Sequence, residues 1–305
     1  MWGYRFFVGV LLGLVGFSAA AKASTLPLNQ LHLEDNPKVF YRVTPNDFHR
    51  IIQRVIREFA PIVRRHGAEL QVEERWYDST VNAFADRPSP NVWSVHMFGG
   101  LARRKEVSQD GFALVVCHEL GHHLGGYPYK WNMGNVWAAS EGQSDYFATQ
   151  VCARKIWEKE IEENARHRDT VPAFARRVCD IRLGEQKDRD LCYRTAEAGL
   201  SLANLLNRLQ DNRRPVAFET FSRERVQETY TKHPQAQCRL DTYLNGAACR
   251  RPFDVERIPG DAMRLASGSQ LDMEKEAALY SCEDTGSPMD GSRPACWFRP
   301  LLSNW

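Results

Sequence analysis

The feature that most constrains this chain is the string His-Glu-Leu-Gly-His at residues 118–122, inside an apolar stretch closed by two glycines. Apolar residues with glycines at the end predict a helix over 109–125. Residues four apart share one helix face, so the imidazoles of His118 and His122 can reach one metal ion. Glu119 can then take a proton from a water molecule on that ion. The string predicts a metal centre, with two ordinary core or solvated histidines as the alternative.

Zinc suits this pattern, because it binds neutral imidazole and carboxylate and its catalytic sites keep three protein ligands and one open position. The pattern H-E-x-x-H-x-x-G-x-x-H would put a third histidine at position 128, but Pro128 stands there and cannot bind zinc. The third ligand can instead be a glutamate on a following helix. Glu141 lies 19 residues after His122, and Asp145 is four residues further on the same helix face. Glu141 can therefore bind one Zn²⁺ ion while Asp145 orients a ligand histidine, the alternative being a solvated face.

The N-terminus is typical of a secretory signal peptide, with Arg5 before an apolar run over residues 6–17 and small residues at A-x-A spacing after it. This run rises only about 18 Å as a helix, too short for a hydrocarbon core of about 30 Å. We expect residues 1–23 to be cleaved after Ala23 or nearby, leaving no stable membrane span. The protein is then periplasmic or secreted, and an uncleaved anchor is the alternative.

The charge balance argues against nucleic acid as a partner. The chain has 40 Lys and Arg against 38 Asp and Glu, and residues 1–23 contain two basic and no acidic residues, which leaves 40 − 2 = 38 of each sign. A chain with no net charge has no general attraction to nucleic acid or acidic lipid. We therefore do not expect nucleic acid as a partner, and the oligomeric state stays open.

The eight cysteines favour disulfides in a chain predicted to be exported. Separations of 13, 11 and 14 residues predict three local pairs, namely Cys179/Cys192, Cys238/Cys249 and Cys282/Cys296. Cys117 and Cys152 remain, both inside helical patterns. They are either buried thiols or a bridge to each other.

Hydrophobic periodicity predicts an α+β fold. A helix starts at Thr44, with Pro45 in its first turn, and runs to Gly67. Strands are predicted over 68–77 and 91–98, and further helices over 138–160, 161–192 and 194–210. We expect one zinc-binding domain over 24–250, with a helical insertion at about 161–215, followed by a loop-rich, Cys-containing extension over 251–305.

Several strings resemble a known family and occur in its order. These strings are Val81-Asn82-Ala83-Phe84-Ala85, Gly100-Leu101, His118 to His123 and Glu141 to Ala148, which match V-N-A-F-A, G-L, H-E-L-G-H-H and E-x-x-x-D-x-x-A. Further on, residues 233–240 are similar to H-P-x-x-x-x-R-[IL]. The chain thus resembles the gluzincin metallopeptidases of the HtpX-like and CaaX-prenyl-protease family over residues 81–240, about half its length.

The resemblance implies a mostly helical, zincin-type (minigluzincin) domain with a small mixed sheet, and zinc-dependent cleavage of protein substrates. It implies that Asn82 and the strand at 91–98 form a sheet edge along which a substrate peptide pairs. It also implies that His233 stabilises the oxyanion and that Arg239 organises that side of the cleft. Without it, His233 is a surface residue before a helix beginning at Pro234, and Arg239 makes a surface salt bridge.

Two other functions stay open. The chain can be a non-proteolytic envelope factor with a structural zinc site, although such a site is normally closed by four protein ligands and the sequence supplies three. It can also be a zinc amidase acting on cell-wall peptides, which only the resemblance disfavours. Whether the residues after 250 cover the cleft is a further open point.

Overall fold

The computed structural model describes residues 22–130, 136–210, 214–261, 268–283, 285 and 289–301. The predicted signal peptide lies almost entirely outside these ranges. Within them, no helix combines the length and the apolar character needed to cross a bilayer.

The described residues form ten α-helices and a four-stranded sheet, which confirms the α+β class. The strands are β1 (Ala23–Ser24), β2 (Glu69–Arg75), β3 (Ala83–Ser89) and β4 (Val92–Phe98). The helices are α1 (Pro45–Arg65), α2 (Gly99–Ala102), α3 (Gln109–Leu124), α4 (Glu141–Phe147), α5 (Ala153–Trp157), α6 (Ile161–Ala165), α7 (Ala173–Arg182), α8 (Gln186–Leu209), α9 (Ala236–Ala248) and α10 (Gln270–Ala278).

The first helix begins where the sequence predicts. The Thr44 hydroxyl accepts the Asp47 N–H and the Asp47 carboxylate accepts the Thr44 N–H, which together satisfy two backbone donors at the end of the helix. The apolar positions of α1 then share one buried face. That face packs against β2 and α3, so α1 supports the central helix from one side.

The sheet order is β1-β3-β4-β2, with β2 parallel to β4 and the other two pairs antiparallel. The predicted strands over 68–77 and 91–98 are confirmed as β2 and β4. The prediction that residues 91–98 form a sheet edge is wrong, because β4 is hydrogen-bonded on both sides. The strand that pairs with β1 is β3. Its sequence includes Pro88 and lacks the alternation of apolar and polar residues that predicts a strand.

The central helix α3 is buried along nearly its whole length. Every residue from Gly111 to Leu124 is buried, as is typical of a helix enclosed on all sides. It packs against α1, α4 and α8 and against β3. Helix α3, which carries His118 and His122, and helix α4, which carries Glu141, are therefore both packed in the core of the fold.

The helix predicted over 138–160 is confirmed over residues 141–157. A π-helical turn over Ala148–Cys152 joins α4 to α5 without a break. Helix α4 approaches α3 closely at Gly121, where an added Cβ would lie 2.9 Å from Ser144 Cα. The charged segment 161–192 is helical as predicted, in α6, α7 and the first turns of α8. The extension after 250 contains α10, which the sequence pattern did not predict.

The disulfides correct two of the predicted pairs. Cys179–Cys192 is confirmed, Cys117–Cys152 is a bridge, and the remaining bonds are Cys238–Cys296 and Cys249–Cys282. Cys238 lies in the first turn of α9 and Cys249 just past its end. Eleven residues of helix separate them by about 16 Å, far more than the 5.9 Å between the Cα atoms of Cys238 and Cys296. Each therefore bonds to the C-terminal extension.

Candidate metal centre

The three predicted metal ligands converge in the structure. His118 and His122 project from the same face of α3, and Glu141 is the first residue of α4, immediately after the helix-capping Ser140. One ligand atom from each residue lies within 4.8 Å of the others, and all three residues are buried. This buried group can hold a metal ion.

The donor atoms of the three residues lie close enough to bind one ion. Glu141 Oε2 lies 3.1 Å from His118 Nε2, and Glu141 Oε1 lies 3.7 Å from His122 Nε2. Among the described residues, His122 Nε2 and Glu119 Oε2 are buried without a hydrogen-bond partner. Buried polar atoms nearly always have a partner, so these two atoms are suited to contact an ion and a water molecule. Two imidazoles and a carboxylate suit zinc.

The ligand His118 is oriented by a buried ion pair. Its Nδ1–H donates to Asp145 Oδ1 at 2.8 Å, which directs Nε2 toward Glu141. The Asp145 carboxylate is held in turn by Arg239, whose guanidinium donates to both oxygens at 2.6 Å. Asp145 and Arg239 are completely buried. The two alternatives, a solvated helix face and a surface salt bridge, are therefore wrong.

The other ligand, His122, is oriented by groups that the sequence did not predict. Its Nδ1 lies 2.8 Å from the Ala139 carbonyl, to which it donates, and 2.9 Å from Ser144 Oγ. Burial holds the pKa of His122 well below its usual value, so this imidazole is neutral as metal binding requires. The spacing of Ser144, three residues after Glu141 on a short helix, is the signal that could have identified it.

Positive charge keeps Glu141 ionised. Burial by itself would raise the pKa of this carboxyl, but the Lys130 ammonium, which contacts Oε1, and the imidazoles of His122 and His233 hold it well below its usual value. Lys130 is a second residue that sequence reasoning missed, because it lies in an irregular segment outside every motif. The site therefore offers a permanent carboxylate to a cation.

Glu119 has the properties of a proton acceptor near neutral pH. Complete burial raises its pKa to about 7, although His118 and the Thr25 hydroxyl act in the opposite direction. Glu119 Oε1 accepts hydrogen bonds from the Thr25 N–H and hydroxyl, while Oε2 has no partner among the described atoms. One carboxylate oxygen is thus available for a water molecule.

His233 and Asn82 both contact the short segment over residues 24–26. His233 Nε2 is 3.5 Å from Glu141 Oε2 and donates to the Ser24 carbonyl at 2.8 Å. Burial lowers its pKa, so the ring is a neutral donor. The Asn82 side chain pairs with Leu26, accepting its N–H at 3.2 Å and donating to its carbonyl at 3.3 Å. Asn82, predicted to bind substrate, and His233, predicted to stabilise the oxyanion, therefore both contact this chain's own N-terminal residues.

Comparison of the chain with protein-family models, curated proteins and solved structures finds no match. The resemblance to the HtpX-like metallopeptidases therefore stays a prediction from the quoted strings.

Proposed function

We propose that the protein is a zinc-dependent endopeptidase that hydrolyses peptide bonds of protein substrates in the cell envelope or outside the cell. The observation that carries this proposal is the buried convergence of His118, His122 and Glu141 beside a carboxylate with one unpaired oxygen, Glu119 Oε2. The four disulfides support an oxidising compartment.

Each residue has a role that its position supports. His118, His122 and Glu141 would hold the zinc ion, which when bound acidifies a water molecule toward a pKa of about 7 and polarises a carbonyl group. Glu119 accepts a proton from the attacking water and returns it to the leaving amine. The neutral His233 donates a hydrogen bond to the oxygen on which negative charge develops.

A non-proteolytic factor with a structural zinc site is the second candidate. The N-terminal residues that contact Glu119 and His233 favour it, because they occupy hydrogen-bonding groups that the catalytic proposal needs for a substrate. Against it stand the three-ligand set and the unpaired Oε2 of Glu119, since a structural site is normally closed by four protein donors.

The substitution Glu119→Gln tests the proposal. It keeps the side-chain shape and the hydrogen bonds from Thr25 but removes the proton acceptor, so casein cleavage is expected to fall about 100-fold or more while one zinc ion per chain remains bound. The matched control is Glu162→Gln, which changes an exposed residue of α6 and is expected to leave cleavage unchanged. Retained turnover in Glu119→Gln would refute the role of this carboxylate.

A further inference from the structure

Residues 23–26 lie beside the metal centre, as the two-residue strand β1 followed by a bend over 25–26. β1 pairs antiparallel with the first residues of β3, and the Thr25 N–H donates to the Ala83 carbonyl at 3.2 Å. The side chains of Ala23, Thr25 and Leu26 are at most 2% exposed. The segment is therefore packed into the fold as firmly as a core strand.

The peptide bond between Ser24 and Thr25 contacts the groups that the proposed chemistry uses. The Ser24 carbonyl accepts from His233 Nε2 at 2.8 Å, and the Thr25 N–H lies 3.0 Å from Glu119 Oε1. Arg239 Nη1 donates to the Thr25 carbonyl at 2.6 Å. A carbonyl at His233 and an amide N–H at Glu119 are the two ends of the bond that an endopeptidase cleaves. The segment thus lies where a substrate backbone is expected.

We propose that residues 23–26 are a built-in competitor of the substrate, and that an extended polypeptide binds along β3 only after this segment has left. A strand edge offers one row of N–H and C=O groups and pairs with one chain at a time. β1 and Thr25 use that row at the start of β3, and Asn82 holds the next residue, Leu26.

The identity of the ligand follows from the same contacts. Backbone groups of the segment, rather than charged side chains, make the hydrogen bonds to Ala83, Asn82, His233 and Arg239. The site therefore recognises an extended polypeptide through its main chain. The signal cleavage that we expect after Ala23 removes that residue and its pairing with Ala85. Ser24, Thr25 and Leu26 remain, and they are the residues whose backbone groups contact Ala83, Asn82, Glu119, His233 and Arg239.

A binding experiment separates this inference from the catalytic proposal on which its activity readout rests. The full chain is titrated into a fluorescent peptide with the sequence of residues 22–27, Lys-Ala-Ser-Thr-Leu-Pro, and anisotropy is recorded. Thr25→Pro removes the N–H that donates to Ala83 and Glu119, and the peptide is expected to bind this variant roughly tenfold more tightly than the unaltered chain. Leu28→Pro is the matched control, since Leu28 is 96% exposed, and it should bind like the unaltered chain.

Casein cleavage provides the second readout, and Thr25→Pro should raise it by a similar factor. If circular dichroism shows that Thr25→Pro does not fold, Thr25→Val replaces it. That variant loses only the hydroxyl that contacts Glu119, and about a threefold gain in peptide binding is expected.

The outcomes differ for the two proposals. Unchanged peptide binding in a folded Thr25 variant overturns the competitor, even if casein is cleaved. Tighter peptide binding without cleavage in any variant supports the competitor and contradicts the endopeptidase. Glu119-dependent cleavage of the chain's own Ser24–Thr25 bond, detected by mass spectrometry, overturns the competitor as well, because the segment would then be a substrate.

Discussion

At the scale of single residues, the site consists of buried polar and charged side chains, each of which contacts the next. Arg239 holds Asp145, Asp145 orients His118, and Glu141 faces both ligand imidazoles. A buried charge is tolerated only when it is paired, and removing one partner of such a pair typically costs about 3–5 kcal/mol. We therefore expect metal affinity and fold stability to depend on the same side chains.

The substitution Asp145→Asn tests this dependence. The neutral amide accepts less strongly from His118 and no longer balances the Arg239 charge, so we expect zinc affinity to fall about 10–100-fold. Competition with a chelator of known affinity measures the change. Asp169→Asn, at an exposed position, is the control, and equal affinities of the two variants would show that Asp145 does not orient the ligand.

The buried carboxyl of Asp241, which lies outside the metal centre, is expected to make the stability of the fold depend on pH. Burial raises its pKa to about 7, although hydrogen bonds from the Ser222 N–H and Gln237 act to lower it. Between the unfolded value of 3.8 and about 7 the folded chain binds one more proton than the unfolded chain. This group therefore lowers the free energy of unfolding as the pH rises through that window.

The size of the Asp241 contribution is expected to be about 3 kcal/mol between pH 5 and pH 8. Urea unfolding at both pH values measures it, and Asp241→Asn should remove that part of the difference. An identical pH dependence in the variant would contradict the raised pKa.

At the scale of elements, the distance between two helices determines whether the ligands meet. Gly121 lies on α3 between the two ligand histidines, where an added Cβ would lie 2.9 Å from Ser144 Cα on α4. A contact this short requires one helix to move. The glycine in His-Glu-Leu-Gly-His therefore permits close helix packing, whereas His118 and His122 are the candidate ligands.

We expect Gly121→Ala to destabilise the fold by about 1–3 kcal/mol and to weaken zinc binding, because it displaces the helix that carries Glu141. Gly184→Ala is a suitable control, since an added Cβ there meets no atom within 4 Å. Denaturant unfolding and zinc titration of both variants test this. Zinc affinity of Gly121→Ala equal to that of the control would show that α4 tolerates the shift.

At the scale of the whole molecule, disulfides connect segments that are distant in the sequence. Cys117–Cys152 joins α3 to the π-helical turn after α4, and Cys238–Cys296 joins α9 to the C-terminal extension. Beside the second bond, Trp297 is completely buried, and an added Cβ on Gly142 would lie 2.2 Å from its ring. The extension thus packs against the helix that carries Glu141.

Loop length predicts the relative contribution of these bonds. Replacing Cys238 and Cys296, which are 58 residues apart, with alanine should lower the free energy of unfolding by about 4 kcal/mol in the chain-entropy description, against about 3 kcal/mol for Cys179 and Cys192, which are 13 apart. Both pairs are buried, so the second variant is a matched control. A larger loss of unfolding free energy in the variant without Cys179 and Cys192 would contradict this ordering.

Local spacing in the sequence was sufficient to predict the parts of the protein that depend on neighbours along the chain. The i,i+4 rule places His118 with His122 and Glu141 with Asp145, and a capping pattern places the start of α1, because helix geometry relates residues within two turns. The pairing of Cys238 and Cys249 and the position of residues 91–98 at a sheet edge were predicted wrongly. Both depend on which distant segments meet.

Only the tertiary structure decided what surrounds the ligands. Lys130 contacts Glu141 from an irregular segment outside every motif, and Ser144 contacts His122 from a position that the motif over 141–148 leaves open. Thr25 reaches Glu119 across 94 residues of sequence. No periodicity in a sequence encodes such contacts, since they follow from the packing of the whole core around α3. The sequence by itself determined which side chains can bind a cation, and the fold determined which backbone lies in front of them.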